Sequence, residues 1–265
     1  MKEFIKRRIL HREPVPEKNF GLKRDVYDYR DHVYVPKFRK IFYPLTTNRK
    51  NFRHFPFRWD QGDIGSCTGH GGVAGFVKAL MTNGKPLYEP SRLFAYYNAR
   101  TEDFKHEDSG ASIRDLIKGL NKYGVCREDT WPYITLKFAQ RPSQEAYHEA
   151  ENHQILEYYR IYPVTKEAIM DAIHSGYAVI YGQILYESFL SDKVKETGIV
   201  PIPKRCWENV VGGHCKCILD YEPAGCFELN SWGKSWGING GCLVPWKYIL
   251  NDKLSFDFWV IKITE

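Results

Sequence analysis

Several common features are missing from this 265-residue chain. No run of about 18 consecutive apolar residues occurs, so no hydrophobic helix is expected to cross a bilayer. The start, Met1-Lys-Glu-Phe-Ile-Lys-Arg-Arg, is basic, but no apolar stretch follows it, so no secretory signal peptide is expected. The initiating Met is read as an intact start. No internal repeat or low-complexity tract interrupts the chain. Residues 1–50 also lack helical patterning, because Pro14, Pro16, Pro36 and Pro44 break any long helix. What remains is a chain with 43% hydrophobic residues, long enough for one large domain or for two subdomains around a shared cleft.

Charge is unevenly placed. Residues 1–58 hold 16 Lys and Arg against 6 Asp and Glu, a net of +10, and the remainder carries −4. The N-terminal arm is therefore the basic part. Contact with nucleic acid or a membrane surface is one reading of such an arm. Docking on the acidic remainder of the same chain is the preferred one. Phe20, Tyr27, Tyr29, Tyr34, Phe38, Phe42 and Tyr43 make the arm too aromatic for a disordered tail. The seven cysteines (67, 126, 206, 215, 217, 226 and 242) are an odd number. One free thiol with up to three disulfides fits a secreted protein, and no disulfide at all fits a reducing compartment.

The stretch around which the rest is organised is Gln61-Gly-Asp-Ile-Gly-Ser-Cys67-Thr68. Residues 73–81 after it are apolar on almost every side, which predicts a central, enclosed helix. Its glycines, Gly69, Gly71, Gly72 and Gly75, are unfavourable in a helix unless the facing wall comes very close. Cys67 then stands at a helix start, where free N–H groups and the helix dipole favour a thiolate. Gly212-Gly213-His214 lies 147 residues after Cys67, and Asn230-Ser231-Trp232-Gly233 follows 16 residues after His214.

These three motifs, in this order and spacing, resemble the papain-like cysteine peptidases over roughly residues 50–265, in the form seen in bacterial and large-virus members. The resemblance implies an α+β fold with a helical left lobe, a β-rich right lobe and an active-site cleft between them. It implies Cys67 as nucleophile, His214 as general base and acid, and Asn230 as the acceptor that orients the imidazole. Gln61 would donate to the oxyanion together with the Cys67 N–H, and Trp232 would shield the His214–Asn230 bond. Gly110, Gly213 and Trp232 fall where the family builds substrate subsites. No cofactor is implied, and the expected partner of a monomeric enzyme is a peptide or protein substrate. Many family members carry a disulfide-bonded cysteine three residues before the nucleophile; here Ile64 stands there. That difference, with the missing signal peptide, favours a cytoplasmic or, if virus-encoded, virion-associated protein over a secreted one. Thr68 replaces an aromatic after the nucleophile, and Gly241-Cys242 replaces Gly-Tyr, which bears on specificity. No His-rich loop is found, which favours endopeptidase action.

Local signals agree with that plan. Ser91 caps a helix to about Ala99, and Ser112 with Asp115 forms a capping box for a helix over 113–122 stopped by Gly124. Thr165 caps a helix to His174. Strands are predicted at 177–184, 214–219, 226–230, 241–244 and 258–263, so helices come first and strands after. The expected division is an arm over 1–50 and a peptidase domain over 51–265, with lobes at about 67–150 and 155–265. The arm is either a short prosegment lying in the cleft and making a zymogen or a structural extension. Cys67-x-x-His70 and His214-Cys215-x-Cys217 could be halves of a metal site. On a strand, however, Cys215 and Cys217 face away from His214, towards a core. Two other functions stay open. One is an inactive papain-like scaffold that binds a partner through its basic arm. The other is a transglutaminase-like acyl transferase, against which Asn230 and the Trp motifs argue.

Overall fold

The computed structural model describes residues 20–36, 44, 46–100 and 102–263. Expectations resting on Pro14, Pro16, Phe38, Phe42 and Tyr43 lie outside the described residues. The first half is helical. It runs β1 (Leu22–Lys23), α1 (Lys50–His54), α2 (Cys67–Thr82), α3 (Arg92–Ala99), β2 (Ala111–Ser112), α4 (Ile113–Tyr123) and α5 (Gln144–Ala150). Every residue of α2 from Cys67 to Leu80 is buried, as its all-round apolar pattern requires. The walls are as close as its glycines imply. A Cβ on Gly71 would lie 2.7 Å from Cys215 Sγ, and one on Gly72 would lie 2.0 Å from Leu116 Cδ2. The caps fall where the sequence puts them. Ser91 accepts from the Phe94 N–H at 3.1 Å and Ser112 from the Asp115 N–H at 3.1 Å. Gly124 then ends α4 at φ +74°.

The second half runs β3 (Glu157–Arg160), α6 (Lys166–His174), β4 (Val179–Tyr186), α7 (Asp192–Thr197), β5 (Val210–Glu222), β6 (Gly225–Leu229), β7 (Gly241–Pro245), α8 (Trp246–Ile249) and β8 (Ser255–Lys262). Six strands form one antiparallel sheet in the order β3-β8-β4-β5-β6-β7. One core joins α2, α3 and α4 to Cys215, Cys217, Ile180 and Ile261 of the sheet. A second core inside the β lobe gathers Tyr181, Phe189, Trp232, Trp236 and Phe258. Alternation along β5 thus sends Cys215 and Cys217 towards the helices, as expected. Lys216, between them, meets Glu228 in a fully buried ion pair at 2.6 Å. The segment 50–66 crosses to the β lobe, where the Phe52 N–H donates to Asp220 Oδ2 at 2.7 Å. All seven cysteines are free thiols.

The described part of the arm docks on the rest of the chain through charges of both signs: Arg49 pairs with Glu222 of β5. The arm's carboxylates meet arginines of the domain. Asp31 pairs with Arg114 of α4 and, at 3.2 Å, with Arg160 of β3. Asp25 accepts from the Arg114 N–H at 2.9 Å and from Trp259 Nε1 at 2.7 Å, and its own N–H donates to Asp257 at 2.8 Å. Arg24 and Lys23 instead lie over the rings of Phe256 and Phe104.

Candidate active site

Cys67 opens α2 and is fully buried. The helix places its backbone N–H groups at the sulfur, and the adjacent strand β5 brings the Cys215 N–H to the same atom. His214 stands beside it on β5 and is likewise buried. Its Nε2 lies 2.8 Å from Asn230 Oδ1, just past the end of β6. A carboxamide oxygen only accepts, so Nε2 carries the hydrogen and Nδ1 is the basic nitrogen. The Trp232 ring lies 5.2 Å from the imidazole, tilted by 34°, and packs with Phe189 and Trp236. Gln61 is held by its own surroundings. Its Oε1 accepts from Ser231 Oγ at 2.6 Å, and its Nε2 donates one hydrogen to the Ile64 carbonyl at 2.9 Å, in the turn that leads into Cys67. The four residues expected to carry the chemistry therefore converge from three segments: the Gln61–Cys67 turn, β5, and the stretch after β6.

Residues 20–23 lie in the slot between the lobes. β1 pairs in parallel with β2, Gly21 forms a bridge to Gly213, and the Ala111 N–H donates to the Gly21 carbonyl at 2.8 Å. The fit is backbone against backbone. A Cβ on Gly110 would come within 1.8 Å of Gly21 O, one on Gly213 within 2.9 Å of Leu22 O, and one on Gly21 within 2.1 Å of Gly65 O. Gly110 and Gly213 thus flank the arm from opposite sides. The Phe20 ring packs edge-on against His214 and Trp232, with centroids 6.1 and 6.3 Å away.

Comparison with known proteins agrees with this arrangement. No family model matches the chain. A search of curated proteins finds an uncharacterised peptidase C1-like protein of Acanthamoeba polyphaga mimivirus, 41% identical over 215 residues, covering 77% of this chain and 68% of that protein. The chain belongs to the papain-like cysteine peptidases. Among solved structures, xylellain, a cysteine protease from Xylella fastidiosa, superposes with a TM-score of 0.85 at 31% identity, covering 96% of this chain and 99% of that one. Digestive procathepsin L 3 from the Tenebrio molitor larval midgut shares the fold, with a TM-score of 0.69 at 15% identity over 88% of this chain and 74% of its own.

In this papain-like peptidase, burial and the helix start pull the Cys67 thiol in opposite directions. Burial pushes the thiol up to about 11, against the lowering effect of the N–H groups of Cys215, Gly21 and Thr68. Gly21 lies over the sulfur, and burial opposes the thiolate that the helix start favours. Several supporting residues escaped the sequence reading. Asp108 accepts the Gly65 N–H at 2.8 Å and Tyr96 Oη at 2.5 Å, holding the turn before Cys67. Tyr133, in the Trp131-Pro132-Tyr133 segment, places its hydroxyl 2.5 Å from Ser66 Oγ and donates to Gln61 O at 2.9 Å. His70 bonds through Nδ1 to the Ser66 carbonyl at 3.0 Å. Among the described residues no cluster of three or more His, Cys, Asp or Glu is placed to hold a metal.

Proposed function

We propose that this peptidase hydrolyses internal peptide bonds through a Cys67–His214 pair and that residues 20–23 keep it inactive until they leave the slot. The observation that carries this reading is the Cys67 thiol at the head of α2, against the strand that holds His214, with Asn230 fastened to the far imidazole nitrogen. His214 Nδ1 takes the thiol proton, and the sulfur attacks the substrate carbonyl. The oxygen gains negative charge and is stabilised by the Cys67 N–H and the second Gln61 amide hydrogen. The imidazolium then protonates the leaving amine, and water hydrolyses the acyl-enzyme with His214 acting as base.

The arm does not offer itself as a substrate. The Gly21 carbonyl is engaged by the Ala111 N–H, and it is the Gly21 N–H that faces the sulfur. The chain continues on both sides of residues 20–23, so the slot accepts the middle of a polypeptide, which favours endopeptidase action. We read residues 1 to about 50 as the arm and 51–265 as the peptidase domain. The test is intact mass after incubation with an irreversible epoxide inhibitor of thiol proteases, on the full chain and on a chain beginning near residue 50. An adduct on Cys67 in the shortened chain alone supports the zymogen reading. Adducts in both make the arm a structural extension. A folded shortened chain that never reacts overturns the peptidase chemistry and supports a binding scaffold.

A further inference from the structure

A small cavity of about 10 Å3 lies behind the His214–Asn230 pair. Its wall includes His70 of α2, Asn230, and Trp59. His70 sits one turn after Cys67 and is 3% exposed. Its Nδ1 is bonded to the Ser66 carbonyl, which only accepts, so Nδ1 carries the hydrogen and Nε2 presents a lone pair. The ring is neutral, because burial and then the charge of Arg92 push its pKa down to about 3. Nε2 is buried with no hydrogen-bond partner among the described residues. Across the cavity, Asn230 gives its Oδ1 to His214, and its Nδ2 is also buried without a partner.

A lone acceptor and a lone donor thus line one void, and each is costly to leave unmade. The void holds one water molecule and no more. We propose that a buried water bridges Asn230 Nδ2 and His70 Nε2, accepting from the first and donating to the second, and that His70 is thereby a positioning residue for His214. The chain of contacts runs from His214 through Asn230, the water and His70 to the Ser66 carbonyl, in the turn that precedes Cys67. The water anchors the far edge of the Asn230 carboxamide and keeps Oδ1 in line with the imidazole. His70 reaches the reaction only through Asn230 and touches no reacting atom. The inference rests on His214 and Asn230 being the catalytic pair.

The full chain tests it in two ways. A crystal structure at atomic resolution is expected to show an ordered water within hydrogen-bonding distance of both atoms, and an empty or collapsed void overturns the proposal. Second, the pH profile of Cys67 alkylation by iodoacetamide is compared across variants of the full chain that also carry Gly21→Ala, which opens the slot. His70→Phe removes the acceptor, so the rate near pH 6 is expected to fall about tenfold, with the acid limb displaced upward, as loss of one such contact implies. His70→Gln, which keeps an acceptor, is expected to restore most of that rate. In an Asn230→Ala background, His70→Phe is expected to add nothing. A folded His70→Phe protein with the wild-type profile overturns the positioning role. If that variant does not fold, His70→Gln and the density decide. A bridging water in a protein whose Cys67 reacts at no pH, either with Gly21→Ala or in the chain beginning near residue 50, keeps the bridge and overturns its catalytic part. That result also condemns the peptidase chemistry, whereas a normal Cys67 profile over an empty void does not.

Discussion

Gly21→Ala is the most direct probe of the covered site. The added Cβ would lie 2.1 Å from Gly65 O and 2.8 Å from Gly65 Cα. These are backbone atoms, held by the Asp108 carboxylate on the Gly65 N–H, so no flexible side chain can swing aside. Overpacking of this kind costs about 1–3 kcal/mol, which raises the fraction of molecules with the arm out of the slot roughly 5- to 150-fold. Chemistry adds to the gain. With its pKa near 11, the covered Cys67 is thiolate in about one molecule in 10⁴ at pH 7, against a few per cent for an ordinary exposed cysteine. The assay is the rate of Cys67 carboxamidomethylation at pH 7, followed by intact mass, in the full chain and the variant. Acceleration within that range is expected, together with hydrolysis of an added protein substrate. A variant that unfolds at the wild-type midpoint and reacts at the wild-type rate refutes the idea that the Gly21 backbone blocks the sulfur.

Other outcomes follow from the same coordinates. Burial, then the Asp25 charge, raises the Asp257 carboxyl to about 6, so the folded state binds that proton more tightly than the unfolded chain does. Its contribution to stability is full below the ordinary carboxylate pKa and is lost as pH rises through about 6. Asp257→Asn keeps the acceptor for Arg160, which should flatten the decline in unfolding midpoint between pH 4 and 6; an unchanged slope contradicts the assignment. Lys216→Met strands the Glu228 carboxylate in the β-lobe core and is expected to cost about 3–5 kcal/mol in urea unfolding, with much of the loss recovered by adding Glu228→Gln. In the Gly21→Ala background, Gln61→Ala is expected to lower kcat by roughly 10²–10³ with little change in KM, and a loss below about tenfold argues against an oxyanion role.

The sequence showed most clearly those features that one segment decides by itself. The enclosed helix at Cys67, its glycine-lined walls and the serine caps of α3 and α4 follow from local pattern, and each is where the pattern puts it. The turn of Cys215 and Cys217 into the helical core follows from strand alternation alone. Several short elements were not foreseen for lack of signal, β3 and α5 among them. β3 is only four residues at a sheet edge, and α5 buries just Ala146 and Ala150. The errors came from averaging or from omitting tertiary context. A net charge cannot say which charges touch: among the described residues Asp25 and Asp31 anchor the basic arm on arginines while Arg49 meets Glu222. The helix-start argument for a thiolate counted the N–H groups and left out burial beneath Gly21. His70 read as half a metal site because neither the Ser66 carbonyl nor the void beside Asn230 could be placed from spacing.

The glycine lining of the slot has a consequence for control. Gly65, Gly110 and Gly213 measure the width of a main chain and read almost nothing of its side chains. An arm and a substrate therefore present the same shape to them. A substitution that narrows the slot enough to evict the arm also shuts out whatever the enzyme should cut. On the proposed zymogen reading, latency is relieved without loss of turnover by changing the arm rather than the slot walls, at Gly21 or at the Asp25 and Asp31 anchorage on Arg114 and Arg160.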